Sequence, residues 1–141
     1  MKVSARNVLA GSVTKVTRGA VNAEVDLTLQ NGETIAAIIT NSSVDSLGLK
    51  EGKNSYAVIK ASSVIVAKGL QGKLSARNVL AGKIITVQDG AVNSEVTLKL
   101  NHGTSLVAVI TKESVKVLGL KVGDDATAIV KASSVIIGVD H

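Results

Sequence analysis

From residue 21 to residue 29 apolar and polar side chains alternate: Val21, Ala23, Val25, Leu27 and Leu29 are apolar, and Asn22, Glu24, Asp26 and Thr28 lie between them. A period of two places the apolar set on one face of a half-buried β-strand. Asn31-Gly32 follows, a pair that tolerates the positive φ of a tight hairpin turn, and residues 34–39 read as the returning strand. Residues 3–8, 12–17, 56–60 and 62–67 are further β-rich runs. Between the hairpin and these last runs, residues 41–47 read as one or two helical turns. Val44 and Leu47 stand three apart on one face, and Gly48 is placed to end the helix.

The same pattern occurs twice. Shifted by 71 positions the chain aligns with itself without a gap, and 36 of 70 pairs are identical. Ser4-Ala5-Arg6-Asn7-Val8-Leu9-Ala10-Gly11 returns as Ser75-Ala76-Arg77-Asn78-Val79-Leu80-Ala81-Gly82. Lys60-Ala61-Ser62-Ser63-Val64-Ile65 returns from Lys131 to Ile136, and the hairpin turn recurs as Asn101-His102-Gly103. Two copies of one small domain are expected, residues 1–68 and 73–141, joined near Lys68-Gly69-Leu70-Gln71-Gly72. Five strands and a short helix in about 70 residues suggest an all-β fold: two tandem five-stranded Greek-key barrels of the OB type. Units this small bury only ~60% of their unfolded-chain surface, so close pairing or oligomerisation is expected.

Composition narrows the chemistry. The 141 residues are 45% apolar with a mean hydropathy of +0.35, too hydrophobic for a disordered chain. The apolar run 62–67 is far short of the ~20 residues of a membrane span. Met1-Lys2-Val3-Ser4 leads directly into patterned sequence without a signal-peptide core, and there is no cysteine. A soluble, cytoplasmic protein is expected, with no membrane partner. The net charge of +5 is weak evidence for an anionic partner. Nucleic acid is disfavoured, because single-strand binders stack bases on aromatic side chains and Tyr56 is the only aromatic residue.

Enzymatic chemistry finds little support. The histidines, His102 in a turn and His141 at the last position, do not recur between repeats, and Glu24/Glu95 is the one acidic position the repeats share. A single strand carboxylate is more often a salt-bridge partner than a general base, and no His, Cys or carboxylate cluster suits a metal cation. What recurs instead is a set of donors. Ser4 and Arg6 stand two apart on an expected strand and so share a face, and Lys60 and Ser62 do the same on another. Thr40 and Ser43 flank the first turn of the short helix. Taken singly, each has an ordinary explanation: a surface ion pair, a solvated lysine, a helix cap. All six nevertheless recur together, as Ser75, Arg77, Thr111, Ser114, Lys131 and Ser133, while many exposed positions between them change. A guanidinium, an ammonium and several hydroxyls suit a tetrahedral dianion. Sulfate, molybdate and tungstate all fit that description.

The Ser-Ala-Arg-Asn start, Gly-Ala-Val-Asn-Ala-Glu-Val, the Ile-Thr before the helix, Leu-Gly-Leu-Lys-Glu-Gly and Lys-Ala-Ser-Ser-Val-Ile together resemble the Mop domain of molbindins. Two copies resemble the tandem, di-Mop form over essentially the whole chain. The resemblance implies OB-type barrels assembled into a homotrimer of tandem chains. It further implies molybdate or tungstate held at subunit interfaces for cytoplasmic storage and homeostasis. Carried over by motif, Ser4, Arg6, Lys60, Ala61 and Ser62 would bind from one subunit and Thr40 with Ser43 from a neighbour. Ser75, Arg77, Lys131, Ala132, Ser133, Thr111 and Ser114 would do likewise. Asn22 and Asn93 are carried to oxyanion sites on symmetry axes, and Asn7 reads as structural.

Two other readings remain open at this point. An OB-fold nucleic-acid-binding protein would shift single-stranded oligonucleotides in a salt-dependent manner. An oxyanion-sensing regulatory module would require a separate partner for its output.

Overall fold

The computed structural model describes residues 1–140, so His141 lies outside the described residues. The first repeat contributes β1 (Asn7–Arg18), β2 (Asn22–Leu29), β3 (Thr34–Thr40), α1 (Asn41–Leu47), β4 (Asn54–Ile59) and β5 (Ile65–Ala67). The second contributes β6 (Asn78–Asp89), β7 (Asn93–Leu100), β8 (Ser105–Thr111), α2 (Lys112–Leu118), β9 (Asp125–Val130) and β10 (Ile136–Gly138). A short 3-10 turn precedes each final strand, Ala61–Ser63 and Ala132–Ser134.

β1 is the spine of its sheet. Its first half pairs with β4 and its second half with β2, and the register shifts between Val13 and Lys15. A bulge of this kind bends a long strand and increases its twist, so one strand serves two neighbours around a closing sheet. Gly11 sits where β1 approaches β2 so closely that a Cβ would collide with the Thr28 carbonyl oxygen. Alternation along β2 works as expected: Ala23, Val25, Leu27 and Leu29 are buried, and Glu24, Asp26 and Thr28 are half-buried on the other face. Thr40 caps α1 by accepting the Ser43 N–H, and Gly48 ends the helix at φ 64°, where an L side chain would be strained.

The fifth strand of each sheet comes from the other repeat. The sheet orders are β10-β4-β1-β2-β3 and β5-β9-β6-β7-β8: β10 lies antiparallel to β4, and β5 to β9. Each 3-10 turn packs on the opposite repeat, Ala61–Ser63 against β8 and Ala132–Ser134 against β3. Buried side chains of both repeats accordingly form one cluster, which includes Leu27, Ile35, Ile59 and Val64 from the first and Leu98, Leu106, Val130 and Val135 from the second.

Asn7 and Asn78 complete the junction. The buried Asn7 side chain accepts the Val107 N–H at 2.8 Å and donates to the Val107 carbonyl at 2.8 Å and the Ile59 carbonyl at 3.2 Å. Asn78 makes the same two-way contact with Ala36, both bonds 2.8 Å. Each amide continues the hydrogen-bonding of a strand edge that would otherwise be buried unpaired. Because positions 7 and 78, and 36 and 107, correspond between repeats, the interface has pseudo-twofold symmetry.

Two expectations change. Runs 3–8 and 12–17 are not separate strands; Asn7–Arg18 is a single bulged strand, and residues 3–6 precede it. Residues 62–67 are not one strand either, because the Ser63 N–H to Lys60 and Val64 N–H to Ala61 carbonyl bonds close a 3-10 turn before β5 begins.

Candidate functional site

Ser4, Ala5, Arg6, Lys60, Ala61 and Ser62 line one open pocket of about 290 Å³, with Val109 of β8 as its wall from the other repeat. Residues 4–6 approach as an irregular arm before β1, and Lys60 to Ser62 as the 3-10 turn after β4. The expected placement of both pairs on strands is therefore incorrect. They meet because Asn7 and Ile59 are partners at the end of the β1–β4 ladder, so the residues just beyond each strand end diverge around one opening. Ala61 is buried, whereas Ser4, Arg6, Lys60 and Ser62 expose their polar ends.

Arg6 is already partnered. Its Nη1 donates to Glu95 Oε2 at 2.6 Å and its Nη2 to Glu95 Oε1 at 2.8 Å, a forked contact across the repeats. Arg77 forks onto Glu24 in the same way, with Nη2 donating to Oε2 at 3.0 Å and Nη1 to Oε1. The hydrogen bond from Arg6 holds the Glu95 carboxyl below the usual carboxylate range, against an opposing effect of burial, and Glu95 in turn raises the Arg6 pKa. Glu24 and Glu95 are thus salt-bridge partners, as read from the sequence. That their arginines come from the opposite repeat is beyond what spacing within one repeat can reveal.

The surroundings of the two arginine–glutamate pairs are not identical. Next to Glu24 on β2 stands Asp26, where the second repeat has Thr97. Burial raises the Asp26 pKa, the nearby Glu24 raises it further, and Arg77 and Lys15 oppose both. Its Oδ1 is buried without a hydrogen-bond partner.

Thr40 and Ser43 do not line the pocket. Their hydroxyls pair with each other at 2.9 Å, as those of Thr111 and Ser114 do at 2.7 Å. Asn22 faces Thr40 across the β2–β3 ladder, and Asn93 faces Thr111 across β7–β8. These residues form a second group in each repeat, exposed except for the half-buried Ser43 and Ser114, beside the exposed Val21 or Val92. Among the described residues there is no group of three His, Cys, Asp or Glu side chains able to hold a metal ion. Among the described residues no helix is long and apolar enough to cross a membrane.

A TOBE domain model matches residues 3–66 and again 74–137. The chain is 46% identical over 140 residues to the molybdenum-pterin-binding protein MopA of Rhodobacter capsulatus, and 46% identical over 139 residues to the molybdenum transport protein ModE of Azotobacter vinelandii. In both alignments 99% of this chain is covered, but it spans only about half of those proteins, 53% and 52%. Among solved structures it is similar to the cytoplasmic molybdate-binding protein ModG in a form with molybdate bound. The TM-score is 0.93 and the identity 50%, and the match covers 99% of this chain and 100% of that one. With both repeats matched, the chain belongs to the TOBE-domain family.

Proposed function

We propose that this protein binds molybdate or tungstate as the intact oxyanion, for cytoplasmic storage and homeostasis, without covalent chemistry. The observation that carries this reading is the meeting of Ser4, Arg6, Lys60 and Ser62 in one pocket from stretches more than fifty residues apart in sequence. Arg6 and Lys60 supply the positive charge, Ser4 and Ser62 supply hydroxyl donors, and Ala61 contributes its main chain. Donors of this kind at several corners complement a tetrahedral dianion. Ser75, Arg77, Lys131, Ala132 and Ser133 form the second site. The resemblance to molybdate-binding ModG supports the choice of anion.

The active assembly is a homotrimer, in which Thr40 and Ser43, or Thr111 and Ser114, reach the pocket of a neighbouring chain, with Asn22 and Asn93 at further sites on the symmetry axes. Large apolar side chains exposed at equivalent positions support burial against other copies: Val21 and Val92 at 71% and 73%, Ile65 and Ile136 at 55% and 58%. Repeats 1–68 and 73–141 act as one unit because each completes the other's sheet.

Melting in the presence of molybdate, with sulfate as control, tests the reading. At a hundredfold excess over Kd, binding to the folded state alone adds ~2.7 kcal/mol, an upward shift of roughly 5–10 °C. Absence of a shift with molybdate and tungstate would count against the function. Arg6→Ala combined with Arg77→Ala is expected to lower the bound stoichiometry; an unchanged stoichiometry would place the sites elsewhere. Native mass measurement should give three times the 14.4 kDa chain.

A further inference from the structure

Each proposed anion site contains an anion of its own. Arg6 lines the pocket, yet both its terminal nitrogens donate to Glu95, at 2.6 and 2.8 Å. Glu95 is the ladder partner of Val109, the pocket wall from the second repeat, and cross-strand partners project from the same face of a sheet. The carboxylate therefore stands beside the pocket, aimed at the guanidinium an incoming ligand needs. Glu24 holds the same relation to Arg77. Glu24/Glu95 is the one acidic position common to both repeats; the other nine acidic residues fall at positions where the opposite repeat has none.

The pair can be opened without unfolding the chain, since the Arg6 and Glu95 side chains are 53% and 28% exposed. What opens it is charge. A singly charged ligand would replace one unit of negative charge with another and lose the forked geometry, so it gains nothing. A doubly charged oxyanion satisfies Arg6 and has a second charge for Lys60, which forms no salt bridge among the described residues, and neither does Lys131. We infer that Glu95 and Glu24 are built-in counter-ions that set a charge threshold, admitting doubly charged tetrahedral oxyanions and excluding singly charged ones. The inference rests on the anion-site reading and identifies these two glutamates as specificity-determining residues within it.

Equilibrium dialysis with molybdate and with perrhenate, a tetrahedral monoanion, separates the two claims. The proteins compared are the wild type, Glu95→Gln, and Glu24→Gln combined with Glu95→Gln, at one ionic strength and with folding checked by circular dichroism. Wild type should bind molybdate and show no perrhenate binding. Both variants should bind molybdate more tightly, by on the order of tenfold per altered site, and should acquire measurable perrhenate binding. Glu95→Asp keeps the charge but shortens the reach, and should fall between the two; it also provides the comparison if the Gln variants do not fold. If wild type binds molybdate and the variants bind both anions no better than wild type does, the threshold is overturned and the site stands. If only the variants bind, the glutamates exclude anions but molybdate is not the wild-type ligand. If nothing binds to any of them, both claims are overturned.

Discussion

The two repeats agree at the pocket and diverge at the hairpin tips. Every polar residue of the proposed anion site recurs unchanged, yet position 33 is Glu in the first repeat and Thr at 104 in the second, and position 31 is Asn and then His at 102. The tips meet each other across the pseudo-twofold. The buried Glu33 carboxylate accepts the Thr104 hydroxyl at 2.5 Å and the His102 backbone N–H at 2.7 Å, and the Asn31 amide reaches Thr104 at 3.4 Å. A residue near such an axis meets its own counterpart. The pocket lies away from the axis and tolerates identical copies; the tips do not, because two buried carboxylates facing each other would repel without compensation. Divergence at this point makes the first repeat complementary to the second and a poor match for itself.

The largest expected effect comes from erasing that divergence. Thr104→Glu places a second carboxylate against Glu33 and should cost about 3–5 kcal/mol, read as a lowered urea midpoint. Glu33→Thr, which makes the tips alike without charge, should cost less, about 1–2 kcal/mol for the lost hydrogen bonds. If both variants unfold at the wild-type midpoint, the tips do not discriminate. Next come the symmetric contacts: Asn7→Ala and Asn78→Ala should each cost about 2 kcal/mol, since each leaves buried backbone groups unpaired. Similar values for the two would show that the junction away from the axis is energetically twofold, and unequal values would break the comparison.

The smallest effect concerns Asp26, the acidic residue that distinguishes the first repeat's strand face from the second's. Its folded pKa is raised, chiefly by burial, so the folded state holds the proton more tightly than the unfolded state does. Ionisation thus destabilises the fold above the folded pKa, and the penalty disappears below the unfolded pKa. Asp26→Thr should raise Tm by about 2 °C at neutral pH, with the curves converging as pH falls through the carboxylate range. A gain independent of pH would point to packing instead. Glu95 has the opposite sign: its pKa is lowered by Arg6, so its contribution to stability is present at neutral pH and is lost on acidification.

Much of this molecule is legible in one dimension wherever local physics decides. Alternation along β2, the Asn31-Gly32 turn, and the helix Asn41–Leu47 between its Thr40 cap and Gly48 all follow from side chains a few residues apart. Recurrence alone singles out the donor set, and four of its members line one pocket. Other features are hidden for definite reasons. Spacing of two looks the same on a strand and at a 3-10 turn, so the sequence pattern reads Lys60 and Ser62 as strand residues where the chain forms a turn. Val64-Ile65 and Val135-Ile136 are identical, so the sequence does not distinguish a fifth strand paired within its own repeat from one exchanged with the other. The Arg6–Glu95 contact spans 89 positions and exists only because the repeats embrace.

That exchange also sets an order of events during synthesis. The edge of β4 waits for β10, which leaves the ribosome only after nearly all of the second repeat has been made. Until then the nascent first repeat presents an unpaired edge, the kind of surface on which two growing chains can join wrongly. Neither sheet can close before the last third of the second repeat exists, since one waits for β9 and the other for β10.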